Sequence, residues 1–331
     1  MAKTAVLLFC LFALLFLYFH ASGDRLVLTR DRLYDASFVG PKEAWVVGYP
    51  GLVLHTTDGG LSFERAKVDT TDAVYSVAFA DASRGWIAGR SGMIFATADG
   101  GKTWKRQDTG ATEHFFDIAF AEGRSGIAVG SFGAMARTSD GGAHWTVSTF
   151  EKMANAAINA ACFSGGRRAW IAGEFPSWEA QLEEDVSAAS LGNLFFSDDG
   201  GTTWTKQDTG ATNTLNDVMF VDANEGWAAG SKGTLLRTDD GGATWTRVPV
   251  PAKTHLFKLA KKGAELWAAG ADGTIIRVTQ AGAQKVDIGP LPWLSGLAFS
   301  PDGSAGALVG GRGTMRRTAD AGATWIEPKD R

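Results

Sequence analysis

One short stretch recurs along this chain and limits what it can fold into. It reads Thr97-Ala98-Asp99-Gly100-Gly101-Lys102-Thr103-Trp104, with near-copies from Thr138 to Trp145, Ser197 to Trp204, Thr238 to Trp245 and Thr318 to Trp325. A variant closes on Phe63 after Asp58-Gly59-Gly60, and a worn copy without Asp or Trp runs from Thr279 to Lys285. The aspartates stand at Asp58, Asp99, Asp140, Asp199, Asp240 and Asp320, with Ala281 in the sixth slot. Most steps are 41 residues; Asp140 to Asp199 is 59 and Ala281 to Asp320 is 39. A fixed period near 40 with four short strands per unit is the signature of an all-β propeller. Seven units predict seven blades.

The residue types explain the motif locally. Asp-Gly and Gly-Gly reach positive φ at low steric cost and turn a tight hairpin. The carboxylate accepts from backbone N–H groups of its own turn, and the preceding Ser or Thr does the same more weakly. The closing Trp starts the outgoing strand and covers the turn with apolar surface. This is structural chemistry and implies no reaction.

A second landmark precedes each motif: Trp45-Val46-Val47-Gly48, Trp86-Ile87-Ala88-Gly89, Trp170-Ile171-Ala172-Gly173, Trp227-Ala228-Ala229-Gly230 and Trp267-Ala268-Ala269-Gly270. Ile127 to Gly130 and Ala307 to Gly310 are degenerate copies. Small and β-branched residues ending in Gly suit a strand squeezed between neighbouring blades. Upstream sit Phe38, Phe79, Phe120, Phe163 and Phe220, near the ends of the innermost strands. Each blade therefore runs from an inner strand A, through B at Trp-x-x-Gly and C before the motif, to an outer strand D. The motifs occupy the C–D hairpins on one face of the disc. The B–C turns and D–A connections occupy the other.

In blade 4 the B–C turn swells into an insertion at 174–191. It places Phe175, Trp178 and Leu182 among Glu174, Glu179, Glu183, Glu184 and Asp185, and 179–190 has the composition of a short helix. An insertion on one face of a repeat array is either the binding face or a tolerated surface loop. Two D–A connections are near-duplicates, Gln107 to Thr112 and Gln207 to Thr212, followed by Asp117 and Asp217. They stand in non-adjacent blades, so a turn requirement accounts for them better than a shared ligand.

Residues 1–23 lie outside the repeats. Lys3 is their one charge, Ala5 to Phe19 is apolar, and Ala21-Ser22-Gly23 is small. This reads as a secretory signal peptide cut before Asp24, leaving 24–331 as the propeller. The alternative is a retained anchor, for which the apolar run is short. Cys162 is then the sole cysteine of the mature chain, so no intrachain disulfide forms, and a buried strand residue is expected there. Arg25 to Thr29 alternates and is placed to pair with the first or last blade. The net charge of −4, one unit more negative without Lys3, argues against nucleic acid as a partner.

The (Ser/Thr)-x-Asp-x-Gly-x-Thr-Trp motif is the Asp-box, or BNR repeat. With Trp-x-x-Gly-x-x-Gly and with Arg137-Thr138, Arg237-Thr238 and Arg317-Thr318, the chain resembles the photosystem II stability and assembly factor family and its relatives in non-photosynthetic bacteria. That resemblance implies an exported, monomeric propeller without cofactor or catalysis, binding a membrane-protein client in the periplasm, or on the thylakoid-lumen side in a photosynthetic source. It maps a basic binding patch onto Arg137, Arg237 and Arg317. His55, Ala96 and Phe196 stand at that position in blades 1, 2 and 4, so the patch is partial. Phe175 and Trp178 are the aromatic candidates on the opposite face.

The rival reading is an Asp-box glycoside hydrolase. A sialidase-like site resembling that family needs three inner-strand arginines, a Tyr–Glu pair and an Asp. Here the registered arginines fall on strand C, and Tyr34, Tyr49 and Tyr75 are the tyrosines beyond residue 23. A two-carboxylate site could draw on Asp35, Asp117 and Asp217, although nothing pairs them by spacing. His20, His55, His114, His144 and His255 show no ligand spacing, and the Gly-rich runs are hairpins rather than phosphate cradles. No metal, cofactor or catalytic residue is expected.

Overall fold

The structure, a computed structural model, describes residues 26–27, 30–174 and 193–329. Blade 1 comprises Arg32–Phe38 (β1), Ala44–Tyr49 (β2), Leu52–Thr56 (β3) and Glu64–Arg65 (β4). Blade 2 comprises Val74–Phe79 (β5), Gly85–Gly89 (β6), Ile94–Thr97 (β7) and Lys105–Gln107 (β8). Blade 3 comprises Phe115–Ala121 (β9), Ser125–Gly130 (β10), Ala134–Thr138 (β11) and Thr146–Thr149 (β12). Blade 4 comprises Ile158–Ser164 (β13), Arg168–Gly173 (β14), Asn193–Ser197 (β15) and Thr205–Lys206 (β16). Blade 5 comprises Leu215–Phe220 (β17), Gly226–Gly230 (β18), Thr234–Thr238 (β19) and Thr246–Arg247 (β20). Blade 6 comprises Leu256–Lys262 (β21), Glu265–Gly270 (β22), Ile275–Thr279 (β23) and Gly282–Lys285 (β24). Blade 7 comprises Leu294–Phe299 (β25), Gly306–Gly310 (β26) and Met315–Thr318 (β27).

Each sheet is an antiparallel meander of consecutive strands, and blade 7 reduces its outer strand to a bridge between Arg317 and Ile326. The seven-bladed all-β propeller expected from the period is the architecture found.

The core lies in the seams. Among the described residues seven apolar clusters each join two neighbouring blades, the last uniting Val27, Leu33 and Leu54 with Val309 and Met315. A repeated aromatic sandwich shows why. The strand-B Trp of one blade stacks on the strand-A Phe of the next, Trp86 on Phe120 at 3.6 Å and Trp170 on Phe220 at 3.5 Å. The box Trp of that next blade meets the same Phe edge-on, Trp145 to Phe120 at 6.0 Å and Trp245 to Phe220 at 5.9 Å. Offset stacked and edge-to-face pairs add to the stabilisation that area burial alone supplies.

The second glycine of a box is required by this packing. Gly101 has φ +79°, and a Cβ there would collide with the Trp45 ring of the preceding blade. Positive φ and close approach thus act together.

Polar bonds stitch the seams as well. The N–H groups of Gly51, Gly92, Gly133, Gly233 and Gly273, in B–C turns, each donate to a carbonyl just ahead of the next blade's inner strand. Gly313 does the same to Asp31 across the junction of the last and first blades. Leu26 and Val27 form no strand, and Val27 is buried in this seam; the other residues of the stretch expected to pair, 25 and 28–29, lie outside the described residues.

The insertion expected to carry Phe175 and Trp178 lies almost wholly outside the described residues. At its start, Glu174 accepts from the Ala157 N–H through its carboxylate.

Candidate functional site

Each box is a closed hydrogen-bond knot. Thr97 Oγ1 accepts the Gly101 N–H at 2.8 Å and donates to Asp99 Oδ1 at 2.8 Å. Asp99 in turn accepts the Thr103 N–H at 2.9 Å and the Thr103 hydroxyl at 2.6 Å. The pattern recurs at Asp58, Asp140, Asp199, Asp240 and Asp320, with His144 taking the hydroxyl's place in the third box. The hydroxyl and N–H of Thr103, Thr244 and Thr324 hold the carboxyls of Asp99, Asp240 and Asp320 at about 2. These carboxylates are engaged within their own turns. The first box glycine also donates to the A–B turn of its blade, as Gly100 to Ser83 and Gly141 to Arg124, which binds the two hairpins of the box face together. The sixth copy is not a box: Thr279 pairs with Gly282 in a tighter hairpin.

The three arginines stand on blades 3, 5 and 7, each opposite strand B. They serve the seams to different degrees. Arg137 donates to Thr202 in the box of blade 4 at 2.7 Å. Arg317 is 9% exposed, and its stem packs against Gly60 in the box of blade 1. Arg237 faces the blade whose box is worn, and its side chain is 44% exposed, paired with Asp239 at 2.6 Å and lying over the Trp227 ring.

Strand register adds a fourth arginine that the motif count missed. Arg277 pairs with Trp267 as Arg237 pairs with Trp227. The shortened hairpin removes the Arg-Thr signature, so only pairing reveals the match. Arg277 stacks over Trp267 and is bonded to Glu265. Arg237, Arg277 and Arg317 therefore occupy the consecutive blades 5, 6 and 7.

The opposite face holds the central mouth, of which the sequence pointed to Asp35, Asp117 and Asp217 alone. The first half of every inner strand lines a cavity of about 440 Å³. Its rim carries Tyr34, Tyr75, Phe116, Phe257 and, from a D–A connection, Trp293. Tyr34 meets Tyr75 edge-on at 5.1 Å and stacks on Trp293 at 6.2 Å. The tryptophans of the boxes and of the Trp-x-x-Gly strands serve turns and blade packing. Trp293 departs from that because it belongs to a connection facing the channel.

The next residue inward supplies Asp35, Ser76, Asp117, Asp217 and Lys258. The three inner-strand acids are thus brought to one place. Each bolts its blade to the next: Asp35 accepts the Val77 N–H at 3.2 Å, Asp117 that of Ala161 at 2.9 Å, and Asp217 that of Leu259 at 2.7 Å. A strand irregularity beside each acid turns it toward the neighbouring blade. The Ser76 hydroxyl lies 2.8 Å from Asp117 and 3.2 Å from Asp35.

Burial pushes the Asp217 carboxyl up to about 7, with Lys258 opposing and Asp117 reinforcing the shift. Burial likewise raises Asp35, against the Lys258 ammonium 3.3 Å away. For Lys258 itself burial is outweighed by Asp35, Asp217 and Asp117, which keep it charged. Cys162 is partly buried on β13, and burial with the nearby Asp217 and Asp117 raises its thiol well above the ordinary value, so it is an inert packing residue. Among the described residues no group of His, Cys, Asp or Glu is arranged to hold a metal ion.

Residues 63–115 and 196–326 match the family described as photosynthesis system II assembly factor YCF48. A solved structure described as YCF48 bound to D1 peptide is 20% identical, with a TM-score of 0.68 over 89% of this chain and 95% of its own. YCF48 from Cyanidioschyzon merolae is 19% identical, with a TM-score of 0.68 over 87% and 96%. A GH74 xyloglucanase from Xanthomonas campestris is 14% identical, with a TM-score of 0.69 over 93% of this chain and 54% of its own. At these identities the structural likeness is one of fold. No curated protein matches the chain.

Proposed function

Because the chain belongs to the photosynthesis system II assembly factor YCF48 family, we propose that it is an exported, non-catalytic binding protein that engages a membrane-protein client during assembly. The observation that carries the reading is the family match, alongside a relative of the same fold described as bound to a D1 peptide. Its place of work is the periplasm, or the thylakoid-lumen side in a photosynthetic source, after removal of residues 1–23. It acts as a monomer and without nucleic acid.

Two surfaces are available to a client. One is the box face, with Arg137, Arg237 and the register-matched Arg277, Arg317 being largely buried in the junction seam. The other is the mouth face, from which the 174–191 insertion with Phe175 and Trp178 departs. Aromatic anchors beside charges are the composition of a protein-binding edge. Affinity capture from membranes tests the choice. Deleting 175–190 abolishes capture if the mouth face binds, whereas Arg137→Glu with Arg237→Glu abolishes it if the box face binds. Capture that survives both changes removes the local support for the reading.

A hydrolase remains the reading to test against, since Asp217 is held near 7 in a cavity shared with two further carboxylates. The bonds these acids make to neighbouring blades give them a structural role instead. The purified protein should turn over neither sialosides nor β-glucans. Turnover lost on Asp117→Asn or Asp217→Asn would overturn the binding assignment.

A further inference from the structure

The mouth is unbalanced in charge although well satisfied in hydrogen bonds. Its floor sets three carboxyl groups, Asp35, Asp117 and Asp217, around the single ammonium of Lys258, and burial raises Asp217 and Asp35, whose charged forms a further cation would favour. Neighbouring backbone N–H groups supply dipoles to these acids, but no net positive charge. Asp35 is 4% exposed, and its Oδ1 faces the Lys258 ammonium at 3.3 Å.

Above the floor the rim is aromatic, and the faces of Tyr, Phe and Trp rings attract cations. A ligand that satisfies both layers has an apolar stem for the rim and a compact positive head for the floor. An anion meets the carboxylates and is repelled. A guanidinium is best matched by two in-plane acceptors, whereas an ammonium is a compact point charge suited to a crowded floor. We propose that the mouth receives a lysine side chain of an incoming polypeptide, its methylenes among Tyr34, Tyr75 and Trp293 and its ammonium directed at Asp35 and Asp217. This rests on the reading that the protein binds a client polypeptide.

The test uses the mature protein with a capped Gly-Gly-Lys-Gly-Gly peptide, its norleucine counterpart, and free 1,5-diaminopentane, by calorimetry and tryptophan fluorescence. The lysine peptide is expected to bind saturably and about tenfold more tightly than the norleucine peptide, with affinity falling as salt rises. Trp293→Ala, at the rim and outside the apolar seam clusters, should weaken it about threefold or more. Asp35→Asn should weaken it further, with Trp293→Ala standing as the readout if the loss of a seam bond unfolds that variant. Equal binding of the norleucine peptide, or no effect of Trp293→Ala, overturns the inference. Diaminopentane binding as tightly as the peptide would assign the mouth to a free polyamine and overturn the polypeptide source. A client captured from membranes without lysine discrimination sinks this inference and leaves the binding function standing. Lysine-selective binding with no client captured does the reverse.

Discussion

The amide of Gly313, in the last blade, donates to the carbonyl of Asp31, ahead of the first, at 2.8 Å. Interior seams carry the same bond, so the two ends of the chain meet through a contact that the fold already repeats. The apolar cluster beneath it is of ordinary size, with Met315 buried at the junction as Met93 is buried between blades 1 and 2. Met315→Ala and Met93→Ala should therefore each cost about 2–4 kcal/mol in urea unfolding. A much smaller loss for Met315→Ala would mean that the junction is not closed in solution.

Gly101 and Gly110 separate the two demands made on a turn glycine. Both have positive φ, but a Cβ at Gly101 strikes Trp45 while one at Gly110 meets open space. Gly110→Ala should cost about 1–2 kcal/mol, the strain of a left-handed alanine. Gly101→Ala adds overpacking and should cost roughly 2–5 kcal/mol. Equal losses, measured by chemical denaturation, would remove the packing argument.

The acids of the molecule fall into two groups with opposite pH behaviour. Asp99, Asp240 and Asp320 are held near 2, below the ordinary 3.8, so the folded chain binds their protons more weakly than the unfolded one. Their stabilisation is full above 3.8 and lost as the pH falls through about 2. Asp217, raised to about 7, binds its proton more tightly when folded, and its contribution is full below 3.8 and lost as the pH rises through 7. Urea midpoints should drop steeply between pH 4 and 2. Between pH 4 and 7, Asp217→Asn should flatten the decline seen with the native chain; an unchanged slope would contradict the raised carboxyl.

The box-face arginines should separate on mutation. Arg317→Ala removes a stem packed in the junction seam and should cost about 1–3 kcal/mol. Arg237→Ala touches an exposed side chain and should stay within about 0.5 kcal/mol. Urea unfolding of the two variants checks the order. A reversed order would mean that Arg237, not Arg317, is the structural member.

The propeller was legible because its local chemistry repeats. Each Asp-Gly-Gly turn writes its own hydrogen bonds, and Phe120 stacked on Trp86 preserves the spacing that marked the inner strands. The mouth was legible only in its three acids, Asp35, Asp117 and Asp217, and the rest of it was hidden for the opposite reason. Tyr34, Asp35, Asp117, Asp217, Lys258 and Trp293 come from different blades and share no motif. They meet because ring closure brings the starts of all inner strands together. One signal was available: Asp117 and Asp217 each fall two residues after the first buried residue of their strand, as do Asp35 and Lys258. Arg277 was hidden because the short sixth hairpin erased the Thr that flagged its counterparts.

The seams also differ by parity. Asp35, Asp117 and Asp217 join blades 1, 3 and 5 forward to 2, 4 and 6. Arg84, Arg168 and Lys262 reach from 2, 4 and 6 to carbonyls of Gly123, Ala223 and Ala321 in 3, 5 and 7. Seven is odd, so two blades of the same kind must stand side by side, and they do so where the chain begins and ends. There Gly296 takes the aspartate's place, approaching the Asp35 backbone too closely for a side chain. Ser295 bonded to the Leu33 carbonyl, and Lys329 to that of Leu61, serve instead. The closing junction therefore shares its turn bond and apolar packing with interior seams and differs in the inner-strand bond, so a change at Ser295 acts on ring closure without touching the bonds repeated elsewhere.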